Sequence, residues 1–367
     1  MSEGKQPVVL ITGSEGLIGD RVVKALAGSY DEVGFDIERP WKHPEILDFT
    51  HCDLTKDESV TQALETLRNR HGNHIANVVH LAAYYDFSGE PSPLYRELTI
   101  EGTRRLLRGL RSFQVEQFIF ASTLLVMKPA EELTDRLTES SPTGPEWAYP
   151  KSKMITEQVI DDERGPMKAV ILRMSGVYDE DGNSLPLGQQ ISRIYEKDFT
   201  SFFFPGDPRR GQPVVHLDDL TDCIRRCIER RDELDDCEVF LIAEPEIVSY
   251  GELQDRIGEG LHGSEWPTIR IPKPIAKAGA WVQDKLSGDD EVFIKPWMVD
   301  IADDHYPVEI NKARRKLGWE PIRRLRDSLD VILYRLKNDP KRWYEANGLK
   351  YPHERKEATN REAKLER

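Results

Sequence analysis

Tyr149 and Lys153 lie four residues apart, downstream of the run Thr12-Gly13-Ser14-Glu15-Gly16-Leu17-Ile18-Gly19. A tyrosine hydroxyl titrates at about 10 in water, so it is a poor base at neutral pH. A neighbouring ammonium favours the phenolate and brings it toward the working range. Positions i and i+4 share a helix face, so Lys153 can stand beside Tyr149. No other tyrosine of the twelve has a lysine at that spacing. The glycines suit a dinucleotide. Gly13 permits a tight turn, Gly16 lets backbone approach a pyrophosphate, and Gly19 lets a helix pack on a strand. Ser14, Glu15, Leu17 and Ile18 complete a loop that opens into a helix N-terminus facing the phosphates. One half would move a proton while the other holds the carrier of a hydride. The expected chemistry is oxidation or reduction at a carbon–oxygen centre.

The elements that must position these residues follow from apolar periodicity. Pro7 to Ile11 reads as a buried parallel strand, and Leu17 to Ala27 as a helix with one apolar side. Strands are expected at Glu32 to Asp36, Asn77 to Ala83, Gln117 to Ala121 and Ala169 to Leu172. Helices are expected at Val60 to Arg70, Leu94 to Ser112 and Tyr149 to Asp162. This alternation implies an α/β fold, a Rossmann-type doubly wound parallel sheet. Residues 1–178 form the expected dinucleotide-binding domain, with strands returning to it near 214–217 and 238–242. A smaller interleaved substrate lobe spans 179–336, with helices at Ile271 to Leu286, Ile310 to Leu317 and Leu325 to Leu336. Residues 337–367 read as a charged, partly disordered tail, almost free of apolar residues from Tyr351 onward.

Composition narrows the function further. Hydrophobic residues make up 38% and charged residues 32%, a soluble globular balance. A formal charge of -14 opposes binding to nucleic acid or an anionic membrane. No apolar stretch reaches membrane-spanning length, and no signal-peptide core opens the chain, so a cytoplasmic protein is expected. Cys52, Cys223, Cys227 and Cys237 include no CxxC pair, and no metal is expected. Cys223 and Cys227 read as buried thiols one helical turn apart.

Asp36 ends the second strand, where a carboxylate accepts from the adenosine ribose hydroxyls and repels a 2′-phosphate. NAD is therefore the expected cofactor, with Arg39 leaving room for NADP. Asp53 is placed to contact the adenine amino group and equally to cap the helix beginning near Lys56, two compatible roles. Ser122 and Thr123 follow a strand, where a hydroxyl beside Tyr149 would polarise the substrate oxygen.

With these residues in place, the chain resembles the extended short-chain dehydrogenase/reductases, including the NAD-dependent epimerases and dehydratases. The resemblance covers about residues 7 to 335. It rests on Thr12 to Gly19, Asp36, Asp53-Leu54, His80-Leu81-Ala82-Ala83, Gly102-Thr103, Ser122-Thr123 and Tyr149/Lys153. It continues through Leu172-Arg173, Val177-Tyr178, Val215 to Leu220, Lys312 to Arg314 and Leu317-Gly318-Trp319. It implies that Leu54, Leu81, Ala82 and Ala83 line the cofactor. It also implies that Thr123 donates to the substrate oxygen, Tyr149 is the acid/base, and Lys153 tunes it and holds the nicotinamide ribose. A homodimer pairing two helices per subunit is a further implication.

The departures bear on substrate. Leu124 and Leu125 stand where 4,6-dehydratases carry acidic residues, which disfavours water elimination. Gly176 and Gln212 replace an Asn and an Arg that hold nucleotide sugars, although Arg209 and Arg210 are near enough to substitute. Thr99 replaces the usual Asn of the long helix. Phe202, Phe203, Phe204, Trp281 and Trp297 could line an apolar pocket or simply be core. The start Ile271-Pro272-Lys273-Pro274 and the stretch Lys312 to Trp319 are similar to the 3β-hydroxysteroid dehydrogenase-like and dihydroflavonol reductase-like branches. Three functions are carried forward. One is an NAD-dependent oxidoreductase of a secondary alcohol or ketone, the small-molecule substrate being a sugar nucleotide or an apolar alcohol or ketone. Another is an epimerase of a sugar nucleotide on retained NAD, and the third is a non-catalytic NAD sensor.

Overall fold

The computed structural model describes residues 6–38, 47–86, 89–278 and 296–352. Its strands are β1 (Val8–Thr12), β2 (Asp31–Asp36), β3 (Asp48–His51), β4 (His74–His80), β5 (Gln114–Thr123), β6 (Lys168–Met174), β7 (Gly176–Tyr178), β8 (Phe203–Phe204), β9 (Val214–His216), β10 (Cys237–Ile242) and β11 (Ile269–Arg270). Seven of them form one parallel sheet in the order β3-β2-β1-β4-β5-β6-β10. The chain reverses direction across the sheet at β1 and β4, the switch point where ligands collect in doubly wound folds.

The strand Val8-Val9-Leu10-Ile11-Thr12 is buried throughout because helices cover both faces. Val9 and Ile11 face one apolar layer, with Val22, Val23 and Leu26 of α1 (Leu17–Leu26) and Leu220, Cys223 and Ile224 of the helix Leu217–Glu229. Val8 and Leu10 face the other. That layer is built from α2 (Asp57–His71), α3 (Glu101–Leu110) and α4 (Ala148–Glu163). A third apolar cluster forms the lobe, from α5 (Leu185–Tyr195), the helix Tyr250–His262 and the C-terminal helices Leu325–Asn338 and Pro340–Ala346. Cys223 and Cys227 are free, fully buried thiols in the first layer. Among the described residues, no helix is long and apolar enough to cross a membrane.

Several expectations are corrected. β10 joins the main sheet beside β6, but β9 does not; it pairs with β7 in a separate two-stranded parallel ladder. The long helix expected from Leu94 begins as a π-helical turn, Tyr95–Ile100, before α3. The tail expected from residue 337 is folded as far as Leu349. Trp343 and Tyr344 are buried, and the Tyr344 hydroxyl donates to Glu196 Oε1 at 2.7 Å. Two large rings supply enough apolar area to dock a charged helix. Arg39, Trp281, the end of the helix expected to reach Leu286, and residues 353–367 lie outside the described residues.

Candidate active site

The glycine turn sits at the carboxyl end of β1. Gly13 has φ +72°, and a Cβ there would lie 2.9 Å from the Ala82 backbone nitrogen. A Cβ at Gly19 would lie 2.1 Å from the Gly13 carbonyl oxygen, so helix and turn pack at a distance only glycine allows. Gly16 is exposed, and a Cβ there would meet only the Gly13 oxygen at 3.3 Å, so its value is open backbone on the outer side. No side chain caps α1 at Gly16, which leaves its first N–H groups available to an anion.

Asp36 is tied to this turn. Its Oδ2 accepts from Glu15 N at 3.0 Å and its Oδ1 from Ile37 N at 2.7 Å. The carboxylate is thereby fixed at the end of β2, beside the start of α1. Asp53 is turned inward on its own segment. It accepts from Thr55 N and Thr55 Oγ1 and pairs with Lys56 Nζ at 2.8 Å. The bonds from Lys56 and Thr55 hold its carboxyl down at about 2. It closes an Asx turn and does not cap α2, whose N-cap is Lys56 without a side-chain bond. Leu54 is a core residue against Gly102. Leu81 and Ala82 run alongside the glycine turn, and Leu81 N donates to Thr12 O at 3.1 Å.

A buried hydroxyl–imidazole chain locks β1 to β4. Thr103 Oγ1 donates to Thr99 O at 2.6 Å, so it accepts from His80 Nε2 at 2.8 Å. His80 Nδ1 is then the acceptor for Thr12 Oγ1 at 2.7 Å, and Thr12 in turn accepts from Ala82 N at 3.3 Å. Burial, helped by the Lys153 charge, pushes His80 down to about 3, so the ring is neutral. Thr99, in place of the usual Asn, accepts from Tyr84 N with its hydroxyl.

Thr123 ends β5 and Tyr149 opens α4, which brings the two side chains near one another, and the Thr123 hydroxyl also accepts from Leu125 N at 3.3 Å. Lys153 Nζ is buried, donates to Ala121 O at 2.7 Å and lies 5.9 Å from the Tyr149 ring centroid. Burial draws Lys153 down to about 7, opposed by the Glu157 charge. Tyr149 is held above its ordinary value by burial, with the Thr123 bond pulling the other way. The expected lowering of Tyr149 by Lys153 is not found: burial sets the direction, and Lys153 does not count among the groups acting on Tyr149. Ser122 takes no part beside Tyr149: its hydroxyl donates to Glu157, which Arg173 grips through Nε at 3.1 Å and Nη2 at 2.7 Å.

The apolar run Phe202 to Phe204 is packing: Phe202 stacks on Trp266 and Phe204 on Tyr250. Sequence reasoning passed over Tyr85 and Trp147. The ring of Tyr85 meets Tyr149 edge-on with centroids 4.9 Å apart, and Trp147 lies 5.5 Å from Tyr149. Trp147 had a local signal, two residues before the catalytic-type tyrosine; Tyr85 had none.

This geometry has close relatives among known proteins. Residues 9–243 match the NAD dependent epimerase/dehydratase family. The chain belongs to that family. Short-chain dehydrogenase/reductase family 42E member 1 of Danio rerio is 26% identical over 92% of this chain and 88% of its own. UDP-glucose 4-epimerase of Vibrio cholerae is 27% identical over 87% of this chain and 92% of its own. The fold is shared with Thermus thermophilus UDP-glucose 4-epimerase in complex with NAD, at TM-score 0.67 and 22% identity, covering 90% and 99% of the two chains. As a member of the NAD-dependent epimerase/dehydratase family, the protein is an enzyme that uses NAD.

The residues present fit that cofactor. The glycine turn clears a backbone surface, α1 offers uncapped N–H groups, and the fixed Asp36 carboxylate suits a ribose diol and opposes a 2′-phosphate. No metal was expected, and one group of possible ligands occurs among the described residues: Glu180, His216 and Asp218. Its donors are already engaged. Asp218 pairs with Arg21 and Arg323, and His216 Nδ1 accepts from Asp218 N at 3.1 Å.

Proposed function

We propose that the protein is an NAD-dependent oxidoreductase that interconverts a secondary alcohol and its ketone. In this reading Thr123 and Tyr149 hold the substrate oxygen, and Tyr149 moves the proton. Lys153 supplies the charge beside the phenol and a donor for the nicotinamide ribose. The observation that carries it is the pair of buried side chains Tyr149 and Lys153 on one face of α4, next to Thr123 at the carboxyl end of β5. Bound NAD supplies the hydride acceptor. In the reducing direction Tyr149 Oη, kept protonated by burial, gives its proton to the substrate carbonyl oxygen as the hydride arrives, with Thr123 beside that oxygen; oxidation is the reverse and starts from the Tyr149 phenolate. The cofactor residues are Gly13 to Gly19, Asp36 and the backbone of Leu81 to Ala83.

The two arginines near the nucleotide-sugar position, Arg209 and Arg210, are engaged elsewhere. Arg209 pairs with Asp207 at 2.6 Å, Arg210 donates to Ala130 O and Glu131 O, and Gln212 Nε2 donates to Asp304 O at 2.9 Å. Leu124 is buried in the core and Leu125 packs against it, so no carboxyl pair for dehydration stands there. These facts favour an apolar alcohol or ketone over a sugar nucleotide. Epimerisation on retained NAD is kept as the second reading because of the similarity to UDP-glucose 4-epimerase.

Tyr149→Phe tests the assignment. Turnover should fall by about 10²–10⁴-fold, the usual worth of a general acid/base, while NADH binding measured by fluorescence titration stays unchanged. Unimpaired turnover would refute the role of Tyr149. A protein that binds NADH and turns over nothing, in either form, would instead be the sensor. Denaturing the purified protein and assaying released NAD separates the first two readings, because only the epimerase cycle keeps its cofactor. Pairing of two copies through α3 and α4 is the dimer this reading carries, and light scattering checks it. Ile155, 44% exposed on α4, would lie in that contact.

A further inference from the structure

The Lys153 ammonium is buried against a ring and a carbonyl. It lies 4.8 Å from the Phe120 ring centroid and donates to Ala121 O at 2.7 Å, both on β5. Only 3% of the residue is exposed. One carbonyl and one ring face return little of the hydration that an ammonium loses on burial. The other groups facing the cation therefore decide whether it stays charged. His80 on β4 is neutral, and Tyr149, one turn earlier on α4, is protonated. Glu157, one turn later, is the carboxylate whose charge acts on it.

Glu157 is itself gripped from two strands. Ser122, the residue after Ala121 on β5, donates its hydroxyl to Glu157 Oε1. Arg173 on β6 donates through Nε to Oε1 at 3.1 Å and through Nη2 to Oε2 at 2.7 Å. Ser122 and Arg173 stand side by side in register and are both buried. A forked guanidinium fixes the plane of a carboxylate as well as its position. Lys153 and Glu157 thus follow one another along α4 as Ala121 and Ser122 do along β5, the cation reaching the first and the carboxylate the second. The Arg173 charge does not count among the groups acting on Lys153, whereas that of Glu157 does.

We propose that Glu157 is a positioning residue for Lys153: clamped by Arg173 and Ser122, its carboxylate holds the buried amine as a cation where the nicotinamide ribose binds. The inference rests on the reading above, in which Lys153 donates to that ribose. Glu157 touches neither cofactor nor substrate in this account and acts only through Lys153. Burial draws Lys153 down to about 7, and the Glu157 charge is what opposes a further fall. Without that charge the amine loses its proton at a lower pH, and NADH meets an uncharged donor at neutrality.

The test is the Kd of NADH, measured by fluorescence titration across the pH range that brackets the Lys153 titration. Wild type, Glu157→Gln, Lys153→Met and the double variant Glu157→Gln/Arg173→Met are compared. In the wild type Kd should rise in one step as pH passes through about 7. In Glu157→Gln the step should move down by about 1 pH unit, the usual effect of one neighbouring opposite charge. Binding then weakens most near neutrality and matches the wild type well below and well above the step. A merely structural role for Glu157 would weaken binding or stability at every pH and leave the step where it is. The double variant leaves no unpaired charge at the clamp, so it keeps the test open if Glu157→Gln alone does not fold. It should show the same downward move. A step that stays near 7 in either folded variant, or that moves upward, overturns the inference. Failure of the underlying reading looks different: the wild type shows no step, or the step survives in Lys153→Met and so belongs to another group.

Discussion

The two ends of the central sheet treat buried polar side chains in opposite ways. At the carboxyl end most are held, with the Ser14 and Ser175 hydroxyls as exceptions. Thr12, His80 and Thr103 form one hydrogen-bonded chain, Ser122 and Arg173 converge on Glu157, and Lys153 donates to Ala121 O. At the amino end Glu32, Val9, Asn77 and Gln117 lie in one register row across β2, β1, β4 and β5. There the Asn77 and Gln117 amides and Glu32 Oε1 are buried with no hydrogen-bond partner in the protein. Unpartnered groups cost stability, so the amino end is the weaker layer energetically. The carboxyl end uses its partners to fix two strand ends and a buried cation. Burial has different value at the two ends because only one of them has chemistry to position.

The largest effect should come from Lys153→Met. Removing the ammonium should lower kcat/KM by about 10²–10⁴-fold. The same change should raise stability at pH 7 by about 1–3 kcal/mol, because an apolar side chain of similar volume replaces a desolvated charge. Burial holds Lys153 at about 7 in the folded protein, below its value of 10.5 in the unfolded chain. The penalty is therefore complete below pH 7 and fades as pH rises toward 10.5. Wild-type stability should climb across that window relative to the variant, a comparison that urea melts at several pH values can make. Equal melts at every pH would mean that Lys153 carries no burial penalty.

A pair of substitutions sharpens the contrast directly. Thr12→Val keeps the shape but leaves His80 Nδ1 and Ala82 N without their partner, at a cost of about 1–3 kcal/mol. Asn77→Leu, one strand away at the amino end, strips an amide that has no partner and should be neutral or stabilising. Equal losses from the two, measured by thermal or urea melts, would show that the ends do not differ in this way.

Much of the carboxyl end was legible because its requirements are local. A φ of +72° at Gly13 and the close packing of Gly19 demand glycine within one turn of chain, and Tyr149 and Lys153 sit one helical turn apart. The strands buried on both faces advertise themselves as apolar runs. Other features carry no such local mark. β3 is only Asp48-Phe49-Thr50-His51, half-buried at the sheet edge, without alternation. β9 looks like a strand bound for the main sheet, and only its pairing with β7 shows otherwise. The Asp53 turn competes with a helix cap that the same residues would suit equally well. The edge-on contact between Tyr85 and Tyr149 joins residues far apart in the chain, and contacts at that separation depend on the assembled fold.

The smallest effect belongs to Glu32, and its sign is the sharpest check on the amino end. Burial, with help from the Asp31 charge, raises its carboxyl to about 7 in the folded protein, against 4.5 in the unfolded chain. The folded state therefore binds the proton more tightly, and ionisation of Glu32 weakens the fold. Its penalty is absent below pH 4.5, grows as pH rises from 4.5 to 7, and is complete above 7. Glu32→Gln cannot ionise, so it should match the wild type near pH 4.5 and exceed it by about 1–2 kcal/mol above pH 7. A difference that instead shrinks as pH rises would place a cation beside Glu32. The amino end would then be partnered like the carboxyl end, and the contrast between them would fail.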